Sequence, residues 1–174
     1  MLKKFTSFRR IALVLAFVWL PGNATAIETT AGNAILMDLT TGAVLFEKNA
    51  DELMPPASMS KLMTLYMVFS RLKEGSLSLE DSFSVSENAW RKGGAKSGSS
   101  TMFLKPNSRV KVEDLLRGII VQSGNDACIV IAEGLASSET AFAEEMTARA
   151  RRIALEKSVF RNSTGWPDHD HVVT

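Results

Sequence analysis

The tetrapeptide Ser58-Met59-Ser60-Lys61 holds a hydroxyl and an amine three residues apart, the spacing that puts two side chains on one face of a helix. A serine hydroxyl is a poor nucleophile until a base takes its proton. A lysine can be that base only as a neutral amine, and desolvation is what disfavours its ammonium form. The neighbours offer such a setting: Ala57, Leu65 and Val68 fall on the face that carries Lys61. Ser58 opens the predicted helix, where free N–H groups and the helix dipole favour developing negative charge. The pair therefore predicts acyl transfer, with Ser58 as nucleophile and Lys61 as its general base. The plainer alternative has Ser58 capping the helix and Lys61 snorkelling to water.

Spacing alone does not single out this pair, because Ser-x-x-Lys recurs at Ser70–Lys73 and Ser108–Lys111. Ser70 is near the C-terminal end of the same predicted helix, the wrong end of the dipole. Ser108 lies in the polar turn Pro106-Asn107-Ser108-Arg109, where a lysine stays solvated and charged. A second polar corner, Ser123-Gly124-Asn125, interrupts two apolar helical stretches. There the Ser123 hydroxyl could relay a proton and the Asn125 amide could hold a substrate carbonyl, or either could cap the next helix. The pattern Ser-x-Asn also occurs at Ser86-Glu87-Asn88.

Other chemistry-bearing residues read as structural. Lys96-Ser97-Gly98 sits between Gly94 and Ser99 and is expected to be a loop rather than a catalytic strand. Asp168-His169-Asp170-His171 carries metal-ligating types, but four consecutive loop residues cannot close a site without ligands from elsewhere, so no metal is expected, and no cofactor is implied. Asn162-Ser163-Thr164 matches a glycosylation acceptor and is expected to be unused. The single Cys128, inside Ala127-Cys128-Ile129-Val130-Ile131-Ala132, is expected to be a buried, inert thiol.

The elements that must position these groups are legible in outline. Residues 34–39 and 43–47 read as strands joined by a tight turn at Thr40-Thr41-Gly42. Residues 58–73 read as a helix apolar almost all round, hence central and buried, ending at Gly75. A Gly/Ser-rich loop follows at 91–100, then helices over 112–121, from Asn125 to about Ala136, and over 139–155 with Phe142, Met146 and Ile153 inward. Residues 162–174 read as loop. Strands first and helices after, without βαβ alternation, predict an α+β fold.

Composition bounds the function classes. The chain has 174 residues, 45% hydrophobic and 22% charged, as ordinary folded domains do. Twenty Lys+Arg against 19 Asp+Glu leave no basic excess that would point to nucleic acid. The start is different: Lys3, Lys4, Arg9 and Arg10 precede the apolar run IALVLAFVWL at 11–20 and the small residues Ala24-Thr25-Ala26. That order reads as an export signal over 1–26, too short in its apolar part to span a bilayer. Residues 27–174 are expected to form one domain delivered to the periplasm.

Taken in order, PPASMSKLMTLYMVF at 55–69, GSSTMFLKPNSRVKVEDLLRGIIVQSGNDA at 98–127 and FRNSTGWPD at 160–168 resemble the serine D-alanyl-D-alanine carboxypeptidases, the low-molecular-weight penicillin-binding proteins. The resemblance covers nearly all of 27–174. It implies a β-lactamase/D,D-peptidase-like α+β fold, an antiparallel sheet with a helical subdomain. It also implies Ser58 as the acylated residue, Lys61 as its base, Ser123 as a further catalytic group and Asn125 as a substrate-binding one. The implied substrates are peptidoglycan stem peptides, from which the terminal D-alanine is removed through an acyl-enzyme, and the implied inhibitors are β-lactams such as penicillin. The family's Lys-[Ser/Thr]-Gly strand would follow beyond Thr174, with the final sheet strands, a C-terminal β-domain and its amphipathic membrane anchor. The chain is therefore expected to be an N-terminal, poorly active part of a longer protein. A β-lactamase and a non-catalytic wall-binding protein are the alternatives. Against the first stand the lack of a loop glutamate placed for fast deacylation and the Ser-Gly-Asn triplet in place of Ser-Asp-Asn.

Overall fold

The structure, a computed structural model, describes residues 27–174; the export signal predicted over 1–26 lies outside the described residues. The described backbone divides into two units, one up to Lys48 and one from Asn49 to Thr174. In the first, β1 (Ala34–Met37) pairs antiparallel with β2 (Val44–Lys48), with Ala34 opposite Lys48 and Leu36 opposite Phe46. The first strand stops short of the predicted Leu39 because Asp38 turns the chain. Its carboxylate accepts from the Thr40 N–H at 2.8 Å and the Thr41 hydroxyl at 2.8 Å. Gly42 then takes the left-handed conformation at φ +75°, which costs glycine little.

The second unit holds a short 3-10 turn, Ala57–Met59, followed directly by α1 (Ser60–Glu74). Then come β3 (Ser82–Ser84), α2 (Glu87–Gly93), β4 (Arg109–Lys111), α3 (Val112–Gln122), α4 (Asn125–Ala136) and α5 (Glu139–Arg152). Strands β3 and β4 pair antiparallel, Phe83 opposite Val110. Side-chain caps start two of the helices: Ser86 accepts from the Ala89 N–H and Ser138 from the Ala141 N–H. Helices together with small antiparallel pairs make this an α+β arrangement, as expected.

The core lies elsewhere than predicted. The helix buried all round is α4, whose residues from Asn125 to Ala132 are all buried. Around it pack Met67 and Val68 of α1, Leu115 and Ile119 of α3, and Phe142 and Met146 of α5. Helix α1 is not enclosed among the described residues, and polar side chains share its buried face with Met63, Met67 and Val68. Ser60, Lys61 and Thr64 are buried, whereas Leu62 is 70% exposed and Phe69 49%. The apolar count of α1 did not say which of its sides this unit covers.

Two other expectations are corrected. Helix α5 ends at Arg152, so Ile153 leaves the buried stripe of Phe142, Met146 and Ala150 and is part-exposed. The stretch after 162 is not wholly loop. Val173 exchanges backbone bonds with Met54 at 2.8 and 2.9 Å, and Val172 with Val159 at 2.8 and 3.0 Å. Beyond these points, β3, β4 and α2 are elements the sequence reading did not assign.

Phe142 is fully buried against α4, so Phe142→Ala should lower unfolding stability by about 3–5 kcal/mol. Glu145→Ala, which removes the exposed ion pair with Arg71, should cost about 0–1 kcal/mol. Urea denaturation followed by circular dichroism checks both.

Candidate active site

Ser58 is exposed in the 3-10 turn that leads into α1, and Lys61 is buried in the first turn of α1 behind it. Their Oγ and Nζ atoms are 3.1 Å apart. As an ammonium, Lys61 donates to the hydroxyl; as a neutral amine it accepts the hydroxyl proton. Burial holds the Lys61 pKa below the ordinary 10.5, since desolvation penalises the charged form. No carboxylate forms an ion pair with Lys61 among the described residues. Its neighbour Cys128 gives no counter-charge either, because burial pushes that thiol up to about 12 and keeps it neutral. The expectation of an inert cysteine matches this burial.

The second hydrogen bond of Lys61 runs to the Thr164 carbonyl oxygen, 3.0 Å away. Sequence reasoning missed this partner, because a backbone carbonyl leaves no trace in residue type. The segment that presents it is organised by Asn162. Its Oδ1 accepts from the N–H groups of Thr164, Gly165 and Trp166 at 3.1, 2.8 and 3.1 Å. The carboxamide of the Asn162-Ser163-Thr164 triplet is therefore committed to shaping its own loop.

Gly165 lets that loop approach the nucleophile's turn. It has φ +79°, and a Cβ there would overlap the Ala57 carbonyl. Ala57 is itself strained: a non-glycine residue at φ +46°, immediately before Ser58. Such strain persists where surrounding structure over-determines it, and it concentrates at functional sites.

The Ser-Gly-Asn corner does not cap the following helix through a side chain. Gly124 takes the N-cap position of α4, and neither Ser123 nor Asn125 caps it through a side chain. Asn125 is buried and lines a cavity of about 270 Å³ with Ser58, Ser100, Thr164 and Trp166. Its Oδ1 has no hydrogen-bond partner among the described residues. Ser123 sits at the end of α3 in a left-handed conformation, φ +54°. No hydrogen bond joins it to Ser58 or Lys61 among the described residues. The structure thus brings Ser58, Lys61 and Asn125 to one place and leaves Ser123 unconnected to them.

Asp126, which the sequence reading passed over, builds the other wall. This fully buried carboxylate accepts from the Thr101 hydroxyl at 2.7 Å and from the N–H groups of Met102, Leu104 and Ala127 at 3.0, 3.0 and 2.9 Å. A buried carboxylate needs several donors, and here they tie the 101–104 segment to α4. The Asn125 N–H binds the Ser100 carbonyl at 2.8 Å, which completes the clamp. The signal available was an acid placed one residue inside an otherwise apolar helix.

Of the other candidates, Asp168 and His171 border this cavity. Ser108 donates to the Lys105 carbonyl, and Lys111 pairs with exposed Glu80 at 2.6 Å, which raises its pKa. Lys96 lies in a 3-10 turn, Ala95–Ser97, with its ammonium 5.2 Å from the Trp90 ring. His169 is exposed beside Asp170, whereas His171 is buried on Ser60, so the two imidazoles part company. A second cavity of about 470 Å³ shares Asn125, Thr164 and Trp166 with the first and is bordered by Arg91, Lys92 and Arg161.

Comparison with known proteins matches residues 21–174 to the D-alanyl-D-alanine carboxypeptidase family. The D-alanyl-D-alanine carboxypeptidase DacC of Escherichia coli is 46% identical over 132 residues, 75% of this chain and 33% of that protein. Penicillin binding protein 5 from Haemophilus influenzae superposes with a TM-score of 0.80 at 36% identity, over 86% of this chain and 43% of that one. For penicillin binding protein 6B from Escherichia coli the TM-score is 0.79 at 36% identity, over 89% and 49%. The chain spans about a third of the length of the curated relatives it matches.

Gly165→Ala should destabilise the fold by more than about 1 kcal/mol, since alanine is strained at positive φ and its Cβ meets the Ala57 carbonyl. A lower urea midpoint at unchanged slope is the expected reading.

Proposed function

Since the chain belongs to the D-alanyl-D-alanine carboxypeptidase family, we propose that it carries the nucleophile of a serine D-Ala-D-Ala carboxypeptidase acting on peptidoglycan stem peptides. The observation that carries the reading is the 3.1 Å approach of Lys61 Nζ to Ser58 Oγ with the amine buried and its pKa lowered. In the proposed reaction the neutral amine accepts the Ser58 proton while Oγ bonds to the carbonyl carbon of the penultimate D-alanine. The bond to the terminal D-alanine then breaks, and its nitrogen takes the proton back from Lys61. Water hydrolyses the resulting ester and regenerates Ser58.

The Thr164 carbonyl contributes by accepting a hydrogen bond from the amine N–H, which leaves the nitrogen lone pair for the Ser58 hydroxyl. Asn125, whose amide lines the same cavity with an unpartnered oxygen, is suited to binding the substrate's peptide group. The Ser58 N–H stands at the turn where the carbonyl oxygen gathers charge, and one such donor is typically worth about 10²–10³ in rate. Ser123 stays in the reading as a proton relay on the strength of the family resemblance of Ser-Gly-Asn. β-Lactams would acylate the same oxygen. The basic, apolar and small-residue order of 1–26 supports export to the periplasm.

The test uses a fluorescent penicillin on this chain and on the longest product of its reading frame, with peptide mapping of the label. Label should map to Ser58 and vanish in Ser58→Ala. Lys61→Ala and Lys61→Arg should each slow acylation by about 10²–10⁴-fold, because neither side chain can take the proton. Lys111→Ala should label normally. Acylation should rise with pH and level off below the ordinary lysine value of 10.5, as the neutral fraction of Lys61 grows. Label on Ser70 or Ser108 would refute the assignment.

A further inference from the structure

We propose that His171 is a positioning residue: by gripping Ser60 it pins the 162–171 segment to the first turn of α1 and so holds the Thr164 carbonyl on the Lys61 amine. The inference rests on the reading of Ser58 and Lys61 given above and extends it to a residue outside the reacting groups.

Three consecutive observations carry it. First, the buried polar side chains of α1 all point to one segment. Ser60 Oγ lies 2.8 Å from His171 Nε2, Lys61 Nζ 3.0 Å from the Thr164 carbonyl, and Thr64 Oγ1 2.7 Å from the Ser163 carbonyl. The two outer contacts of this row are to side chain 171 and carbonyl 163, and the amine is held between them. Two of the three partners are backbone carbonyls, which any residue would supply. His171 is the one place in the row where a particular side chain is required.

Second, the imidazole is only 2% exposed and lies edge-on to Phe160, with ring centroids 5.5 Å apart. Its Nδ1 is buried with no hydrogen-bond partner among the described residues. An apolar side chain of similar size would pack on Phe160 without leaving a buried polar atom unpaired, so volume alone does not explain a histidine here. Third, His171 borders the same cavity as Ser58, Asn125 and Thr164.

The backbone around it is set to transmit the constraint. The His171 N–H bonds the Asp168 carbonyl at 3.2 Å, and Val172 exchanges bonds with Val159. At the other end Asn162 and Gly165 shape the loop. Between these anchors the Ser60 bond decides how closely the segment sits on α1. The charged groups facing the ring are Asp168 and Arg161, with opposite effects on it, and burial outweighs both in keeping it neutral. A neutral imidazole has one donor and one acceptor nitrogen, and the Ser60 hydroxyl can answer either.

The experiment compares His171→Phe, His171→Gln and Ser60→Ala in the longest product of the reading frame. Penicillin acylation is resolved into a binding constant and an acylation rate constant, and the Lys61 side-chain resonance is titrated in parallel. His171→Phe keeps volume and aromatic packing but loses the bond. It should slow the acylation step by about 10–100-fold, the scale of a misplacement near 1 Å, with the binding constant little changed. Its Lys61 titration should move away from the parent value, because the amine loses the Thr164 carbonyl that accepts from it. His171→Gln restores a hydrogen-bonding group and should recover most of the rate. Ser60→Ala should reproduce the His171→Phe defect, and the double variant should be no worse than either. Wild-type rate and titration in both Ser60→Ala and His171→Phe would overturn the proposal, as would a glutamine variant as slow as phenylalanine. If His171→Phe does not fold, Ser60→Ala alone decides. If the parent protein is not acylated at Ser58, the functional reading fails. The Lys61 titration still decides the positioning role, which is refuted if the variants leave it unmoved.

Discussion

A lysine amine that no carboxylate pairs among the described residues, taken out of water beside a serine hydroxyl, is the constraint on which this molecule turns. Burying an ammonium costs several kcal/mol unless it is paired, and Lys61 is not. The cheaper outcome is a lowered pKa, so the fold spends stability to obtain a base. Everything close to Lys61 serves that outcome. The polar face of α1 is turned inward, a strained Ala57 carries the chain into Ser58, and Gly165 admits the loop whose Thr164 carbonyl fills the amine's second bond.

The contrast with Asp126 is instructive. Both side chains are buried near the start of an apolar helix, but Asp126 collects four donors and Lys61 only two neutral partners. A carboxylate so supplied is a structural clamp: it ties 101–104 to α4 and sets Ser100 and Asn125 on the cavity wall. A poorly supplied amine is a reagent. The same burial yields a fastener in one case and a base in the other, and the number of hydrogen bonds makes the difference.

The three Ser-x-x-Lys copies separate spacing from environment. All have identical residue types at identical separation. At Ser108–Lys111 the lysine finds Glu80 at 2.6 Å in the open, and its pKa rises; at Ser58–Lys61 it finds burial, and its pKa falls. The direction of the shift, which sets the chemistry, comes from the surroundings.

Local signals were enough for much of this protein. Helix ends at Gly75 and near Ala136, the hairpin of β1 and β2, the apolar setting of Cys128 and the Ser58–Lys61 pairing all follow from neighbours within a few residues, where propensity, capping and side-chain spacing act. Tertiary structure decided what depends on residues far apart in the chain. It made α4 rather than α1 the enclosed helix of this unit, because apolar content says that a surface is covered but not by what. It ended the buried stripe of α5 before Ile153. It supplied Lys61 with the Thr164 carbonyl and Ser60 with His171, partners 103 and 111 positions away. A backbone carbonyl has no residue type to betray it, and a histidine in an acidic loop reads as a surface residue until the fold buries it. Desolvation, the property that makes Lys61 a base, belongs to no residue but to the packing around it.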